Sequence, residues 1–211
     1  MRYLTAMFAL CCQASHAQPL QMATPVTVFL TGTSVPPLVL QALENTAGAA
    51  FATSGVTLNW MEGRPPETGV DGQLVILHMD GQCRSSWPIS TKKTLLSPSV
   101  VLGQTHIADG NVLPFADVLC DAVRQFVVPD LKGAGRRDRD RLFGRALGRV
   151  AAHELYHILL RTTEHAHTGI SRAAQSVPEL LNVQMAFSAN DEERLFEAVS
   201  PDSCSVNAAG R

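Results

Sequence analysis

The chain has 211 residues, of which 45% are hydrophobic and 17% are charged, and these proportions are ordinary for a globular protein. This length favours one domain. The formal net charge is −2 and only 6% of the residues are aromatic. Composition therefore argues against a nucleic-acid partner, which would need a basic surface or stacking platforms, and against a membrane-surface partner.

The first 17 residues have the layout of a secretory signal peptide. Arg2 is followed by an apolar run over residues 3–12, and residues 15–17 (Ser-His-Ala) place small residues before a cleavage point at Gln18. The apolar run is too short to span a bilayer. We therefore expect residues 18–211 to form a single domain that is secreted or periplasmic, with no membrane attachment after cleavage.

Three cysteines remain beyond the signal segment, namely Cys83, Cys120 and Cys204. An exported protein meets an oxidising compartment, so one disulfide with one thiol left over is one possibility. Three separate cysteines buried as small apolar residues are the other. The sequence does not choose the pair, and the lack of CxxC spacing argues against a structural zinc site made of cysteines.

The first half of the chain predicts three strands and one helix. β-Branched and apolar runs indicate the strands, and apolar residues at helical spacing indicate the helix. The strands are expected at residues 26–31, 56–60 and 73–79, the helix at 38–51, and loops at 63–72 and 81–98.

The second half predicts a fourth strand, at a sheet edge, and then helices. The strand is expected at residues 99–107, and the helices at 115–127, 141–160 and 190–199. Asp138 or Asp140 is the expected cap of the second of these helices, and Ser188 or Asn190 that of the last. Together these elements predict an α+β or α/β domain with a small mixed β-sheet packed on helices.

The strongest chemical motif is His-Glu-Leu-Tyr-His at residues 153–157, inside the most strongly periodic predicted helix. Residues four apart lie on one face of a helix, so His153 and His157 can hold a single zinc ion. Glu154 lies one residue further round and can act as the general base on a zinc-activated water. The alternative is a pair of helical histidines with a purely structural role.

A catalytic zinc needs a third protein ligand and one open position. His165 and His167 are the nearest candidates in the sequence, and Glu164 is a weaker one. Residue types and spacing leave the choice among them open.

Residues 147–173 read LGRVAAHELYHILLRTTEHAHTGISRA. This segment resembles the core of small secreted bacterial metallopeptidases related to the metzincins, a zincin family. In that group an Ala-His-Glu-x-Gly-His helix is followed by a Leu-rich turn, a third His and a Gly-Ile-Met-Arg-Ala segment. The resemblance is close over these 27 residues and loose over the rest of the chain.

The resemblance implies a zincin-like α+β fold with a zinc-binding active-site helix. By position, His153 and His157 match the two helical ligands, Glu154 matches the base, and His165 matches the third ligand. Residues 169–171 match the methionine-bearing turn beneath the metal. His167 matches no ligand.

Four positions depart from the family pattern. Thr163 stands where the longest-known metzincins have the third His, so the resemblance is to a longer-spaced relative. Tyr156 and Arg161 replace glycines, and Ser171 replaces the methionine of the turn. If Arg161 must adopt a positive φ, strain on the order of 1 kcal/mol follows.

Tyr156 is the only tyrosine outside the signal segment, and some zinc peptidases use a tyrosine to stabilise the oxyanion. Its direction on the helix predicts that it does not face the metal. Oxyanion stabilisation would then fall mainly to zinc, with backbone N–H groups of residues 100–104 as a secondary candidate.

The sequence therefore predicts a zinc metalloendopeptidase, a hydrolase that acts on a peptide or protein substrate laid along a sheet edge. One alternative is a catalytically silent zinc-binding interaction module, which Tyr156, Arg161 and Ser171 favour. The other alternative is a zinc hydrolase that acts on a non-peptide substrate, because a fold and a metal do not fix the substrate.

Overall fold

The computed structural model describes residues 25–63, 72–86 and 100–200 of the chain. The predicted signal segment and its cleavage point lie outside the described residues, as do Cys204 and most of the two predicted loops. None of the helices in the described part of the chain is long and apolar enough to cross a membrane.

Five strands form one mixed β-sheet. They are β1 (Val26–Gly32), β2 (Leu58–Glu62), β3 (Gln73–Asp80), β4 (Gly103–Ala108) and β5 (Asn111–Leu119). The spatial order is β2-β1-β3-β5-β4; the first four strands run parallel, and β4 pairs antiparallel with β5 at one edge. This confirms the predicted mixed sheet and the edge position of the strand expected near residues 99–107.

Helices accompany the sheet, which gives an α+β arrangement. They are α1 (Pro37–Ala52), α2 (Cys120–Val127), α3 (Arg136–Leu160), α4 (Val177–Leu181) and α5 (Ala189–Val199), with one 3₁₀ turn at Val128–Leu131. The core lies between the sheet and α1 and α3, where Val28, Val75, Leu43 and Leu147 are fully buried.

Two glycines let α3 approach α1 closely. A Cβ atom at Gly144 would lie 2.3 Å from the carbonyl oxygen of Val39, and one at Gly148 would lie 2.6 Å from that of Leu43. Both distances are too short for any side chain. The depth at which α3 sits in the core is therefore set by these two positions.

The helix predicted at residues 115–127 is wrong in its first five residues, which belong to β5. Ala116 and Val118 are buried while Phe115 is exposed, so the side chains alternate as in a strand. Asp109 and Gly110 both have positive φ and form the two-residue turn that joins β4 to β5 in a hairpin. An Asp-Gly pair is a sequence signal for such a turn. Pairing on both sides of β5 overrides the local helical pattern.

The helix ends also differ from the prediction. α3 begins at Arg136 and is capped by Gly135, so Asp138 and Asp140 lie inside the helix and neither is its cap. For α5, the hydroxyl of Ser188 accepts a hydrogen bond from the backbone N–H of Asp191, which confirms Ser188 as the cap. The short helix α4 was not predicted, although Ser176 and Glu179 form a capping box at its start.

Cys83 and Cys120 form a disulfide, so two of the three candidate cysteines pair. Their Cα atoms are 4.9 Å apart, and the bond links the segment after β3 to the first residue of α2. Both residues are buried. The bond therefore holds the base of the β4–β5 hairpin against the centre of the sheet.

Candidate metal centre

The imidazoles of His153 and His157 lie on one face of α3, and a backbone carbonyl fixes each of them. Nδ1 of His153 donates to the carbonyl oxygen of Ile170 at 2.8 Å, and Nδ1 of His157 donates to that of Thr162 at 2.8 Å. Because a carbonyl can only accept, the ring proton of each neutral histidine lies on Nδ1. The lone pairs on both Nε2 atoms are left free.

The two Nε2 atoms lie 3.1 Å apart. Lone pairs that face each other at this distance repel unless a cation lies between them. Burial is the main cause that lowers the pKa of His153 to about 4, and burial also lowers the pKa of His157, so protonation does not supply that cation at neutral pH. Two nitrogen ligands of one tetrahedral zinc ion lie about 3.3 Å apart, so this pair fits a bound metal.

His165 joins the pair from the loop that follows α3. Its ring centroid lies 4.7 Å from that of His157 and 5.2 Å from that of His153. One ligand atom from each of the three histidines lies within 4.8 Å of the others. Within the described part of the chain, neither His167 nor Glu164 belongs to such a cluster.

α3 ends at a residue in the left-handed backbone conformation, after which the chain turns back toward the helix. Arg161 has φ 49° and ψ 43°, and its N–H donates to the carbonyls of His157 and Ile158. This is the positive φ that glycine adopts without strain, so the arginine carries a cost on the order of 1 kcal/mol. The sharp turn brings the Thr162 carbonyl back to the imidazole of His157.

The turn at residues 169–171 lies against His153. Gly169 has φ 76°, and a Cβ atom there would lie 2.7 Å from the carbonyl oxygen of Ala186, so glycine is required on both counts. The N–H of Ile170 donates to the same carbonyl at 3.1 Å. The carbonyl of Ile170 then accepts from His153 and from the side-chain amide of Gln175 at 2.6 Å.

Glu154 is buried beside the histidines, and two residues of β4 enclose its carboxylate. The hydroxyl of Thr105 donates to Oε2 at 2.7 Å. A Cβ atom at position 103 would lie 2.7 Å from Oε1, so Gly103 leaves the space that the carboxylate fills. Burial raises the pKa of Glu154 to about 7; the Thr105 hydrogen bond opposes this rise and the negative charge of Asp117 adds to it. A pKa near neutral suits a group that must both take and return a proton.

The histidines and Glu154 line a cleft of about 470 Å³. Residues 100–105 before and in β4, and residues 172–175 after the turn, also line it. Several of the remaining lining side chains are apolar, among them Val112, Phe126 and Leu180. Within the described residues β4 pairs only with β5, so its other edge offers backbone N–H and C=O groups to an extended chain.

Tyr156 points away from the cleft, as predicted from its place on the helix. It is buried, its hydroxyl donates to Asp191 at 3.1 Å, and its ring stacks on Phe187 with centroids 5.7 Å apart. It does not line the cleft. An oxyanion in the cleft would therefore receive no hydrogen bond from this hydroxyl.

Sequence reasoning missed three residues around the site. A glycine inside a predicted strand signals a close approach of other atoms, so Gly103 could have been found. Thr105 and Asp191 carry no such signal, because their contacts join residues 49 and 35 positions apart in the chain.

Comparison with known proteins assigns no family. No protein-family model matches the chain, and no curated protein matches it. Membership of a metzincin-related family, which residues 147–173 suggest, is therefore a proposal, and its support comes from the geometry of the site.

Proposed function

We propose that this protein is a zinc-dependent metalloendopeptidase. The observation that carries the proposal is the convergence of three histidine ligand atoms within 4.8 Å beside a buried glutamate that faces the same cleft. His153, His157 and His165 would hold the ion and leave a coordination position free, which is the ligand count of a catalytic rather than a structural zinc site.

The chain supplies the proton transfers. A bound zinc ion would polarise the scissile carbonyl and lower the pKa of water at the site. Glu154 takes a proton from the attacking water and returns it to the leaving amine, which balances the hydrolysis. The hydrogen bond from Thr105 to Oε2 would hold the carboxylate in the cleft that the histidines line.

The edge strand favours a peptide as the substrate. Gly103, Gln104 and Thr105 of β4 line the cleft, and β4 has no second partner strand among the described residues, so an extended peptide could add to it as a further strand. Main-chain hydrogen bonds of this kind recognise a polypeptide and not a small ester or amide. This supports a peptide or protein substrate over the alternative of a non-peptide hydrolase.

The zincin-like fold is part of the proposal. An antiparallel edge strand beside a histidine-bearing helix supports it, as does a turn that holds the first histidine. Tyr156 and Ser171, which favoured a silent module, both direct their hydroxyls at Asp191 and leave Glu154 in place. These two substitutions therefore do not argue against catalysis.

Export from the cytoplasm is also proposed. The Cys83–Cys120 disulfide supports an oxidising compartment, in agreement with the predicted signal segment. N-terminal sequencing of the native protein tests this. A start near Gln18 on material recovered outside the cytoplasm is expected, whereas an intact Met1 on a cytoplasmic product contradicts it.

Metal analysis and peptide cleavage test the activity together. Purified protein is expected to hold one zinc ion per chain, to cleave members of a mixed peptide library, to lose cleavage when a chelator removes the metal, and to regain it with added zinc. One equivalent of zinc without cleavage would support the silent module. Cleavage of esters but not peptides would support the non-peptide hydrolase.

A further inference from the structure

One carboxylate of α5, that of Asp191, lies behind the histidine cluster and is only 1% exposed. Three hydroxyl groups point at it. Oδ1 accepts from Tyr156 at 3.1 Å, and Oδ2 accepts from Ser171 at 2.6 Å and from Ser188 at 2.7 Å. The guanidinium of Arg194, whose side chain is partly exposed, forms an ion pair with Asp191, with Nη1 3.8 Å from Oδ1. No step of the proposed hydrolysis uses this group.

The contact with Ser171 leads to two of the histidines. Ser171 follows Ile170, whose carbonyl accepts from Nδ1 of His153. The carbonyl of Ser171 itself accepts from the N–H of Ala166 at 3.1 Å, and Ala166 follows His165. The position of the buried serine therefore affects the backbone that directs His153 and the backbone that carries His165.

The contact with Tyr156 leads to the third histidine. The tyrosine ring meets the ring of His157 edge to face, with centroids 5.5 Å apart and planes at 73°. Its hydroxyl is held by Asp191 at one end, so the ring cannot shift without breaking that hydrogen bond. The packing that limits rotation of the His157 ring is thus anchored on α5.

We propose that Asp191 is a positioning residue for the metal centre: through Ser171 and Tyr156, one buried carboxylate fixes the directions of all three imidazoles. This inference rests on the proposed metal site. Groups that orient metal ligands from behind typically change metal affinity by about 10-fold to 100-fold when they are removed. Loss of Asp191 therefore acts on metal affinity and on coordination geometry, and not only on folding.

The test compares zinc affinity and the visible absorption of the cobalt-substituted protein between parent and variants. Asp191→Asn keeps the shape of the side chain but turns one acceptor oxygen into a donor. It is expected to weaken zinc binding by about tenfold and to change the cobalt spectrum. The matched control is Glu192→Gln on the same turn of α5; Glu192 accepts from Thr53 at 2.6 Å, and this change should alter neither readout.

Two milder variants keep the test decisive if Asp191→Asn does not fold. Ser171→Ala and Tyr156→Phe each remove one hydroxyl, and each is expected to weaken zinc binding severalfold. Where Asp191→Asn does fold and both hydroxyls act through Asp191, a double variant that combines Asp191→Asn with either change weakens zinc binding by less than the product of the two separate effects.

The outcomes separate this inference from the proposed function. A parent that binds zinc, with variants that bind it equally tightly and show the same cobalt spectrum, overturns the positioning role and leaves the metal site standing. A parent that binds neither zinc nor cobalt overturns the metal site and the positioning role together.

Discussion

The hydroxyl of Thr105 donates a hydrogen bond of 2.7 Å to Oε2 of Glu154 and so ties the edge strand to the proposed general base. Residues of the same strand line the cleft, and within the described part of the chain β5 is its only partner strand. The surface proposed to bind substrate and the residue proposed to transfer protons are therefore held by one element, and a change in β4 is expected to affect both.

Thr105→Val tests this connection. The change keeps the size of the side chain and removes the donor, and a hydrogen bond to a charged group is worth about 1.5–3 kcal/mol. The rate constant kcat is therefore expected to fall tenfold or more, with zinc content unchanged. Thr105→Ser keeps the hydroxyl and should retain most of the activity. Equal kcat values for the valine and serine variants would show that the hydrogen bond does not matter.

The choice of third ligand is tested by two neighbouring histidines. His165 contributes a ligand atom to the cluster and His167 does not. His165→Ala should lower zinc content well below one equivalent, because two histidines alone hold zinc weakly. His167→Ala is the matched control and should keep the full equivalent. Zinc loss in the second variant, with retention in the first, would assign the ligand to His167.

Replacing Arg161 with glycine should stabilise the protein. The residue has φ 49°, where glycine avoids a steric cost of about 1 kcal/mol. The free energy of unfolding is expected to rise by up to about that amount in urea denaturation. Arg141→Gly, at an exposed position inside α3, is expected to lower it by about 1 kcal/mol. A decrease for both variants would mean that the arginine side chain stabilises the turn.

The disulfide should be a major contribution to stability. Cys83 and Cys120 are 37 positions apart, and closing a loop of this length stabilises by about 4 kcal/mol in the chain-entropy description. Replacing both with alanine should lower the free energy of unfolding by about this amount. Peptide mapping without reduction should recover the Cys83–Cys120 pair. A bond from either residue to Cys204 would contradict this pairing.

Local pattern explains which parts of the structure could be predicted. α3 carries a long helical period, and the spacing of His153 and His157 then places both on one face whatever the rest of the chain does. β1 is a run of β-branched and apolar residues and β3 contains a continuous apolar run, and their positions were predicted to within about one residue.

Long-range contact explains what could not be predicted. β5 is a strand because β3 and β4 flank it, and only the Asp109-Gly110 turn gave a local sign of this. The partners of Glu154 and Tyr156 come from β4 and α5, so no spacing within the motif reveals them. Spacing also left the third histidine undecided, because the path of the loop after Arg161 depends on a left-handed turn.

Glu154→Gln tests the central claim most directly, because it separates catalysis from metal binding. The change keeps the size of the side chain and the acceptor for Thr105 but removes the base. General-base assistance typically contributes about 10²–10⁴-fold in rate. The variant should therefore keep one equivalent of zinc and the fold of the parent while peptide cleavage falls by at least about a hundredfold. A parent that cleaves peptides, with a glutamine variant that cleaves them equally fast, would contradict the account.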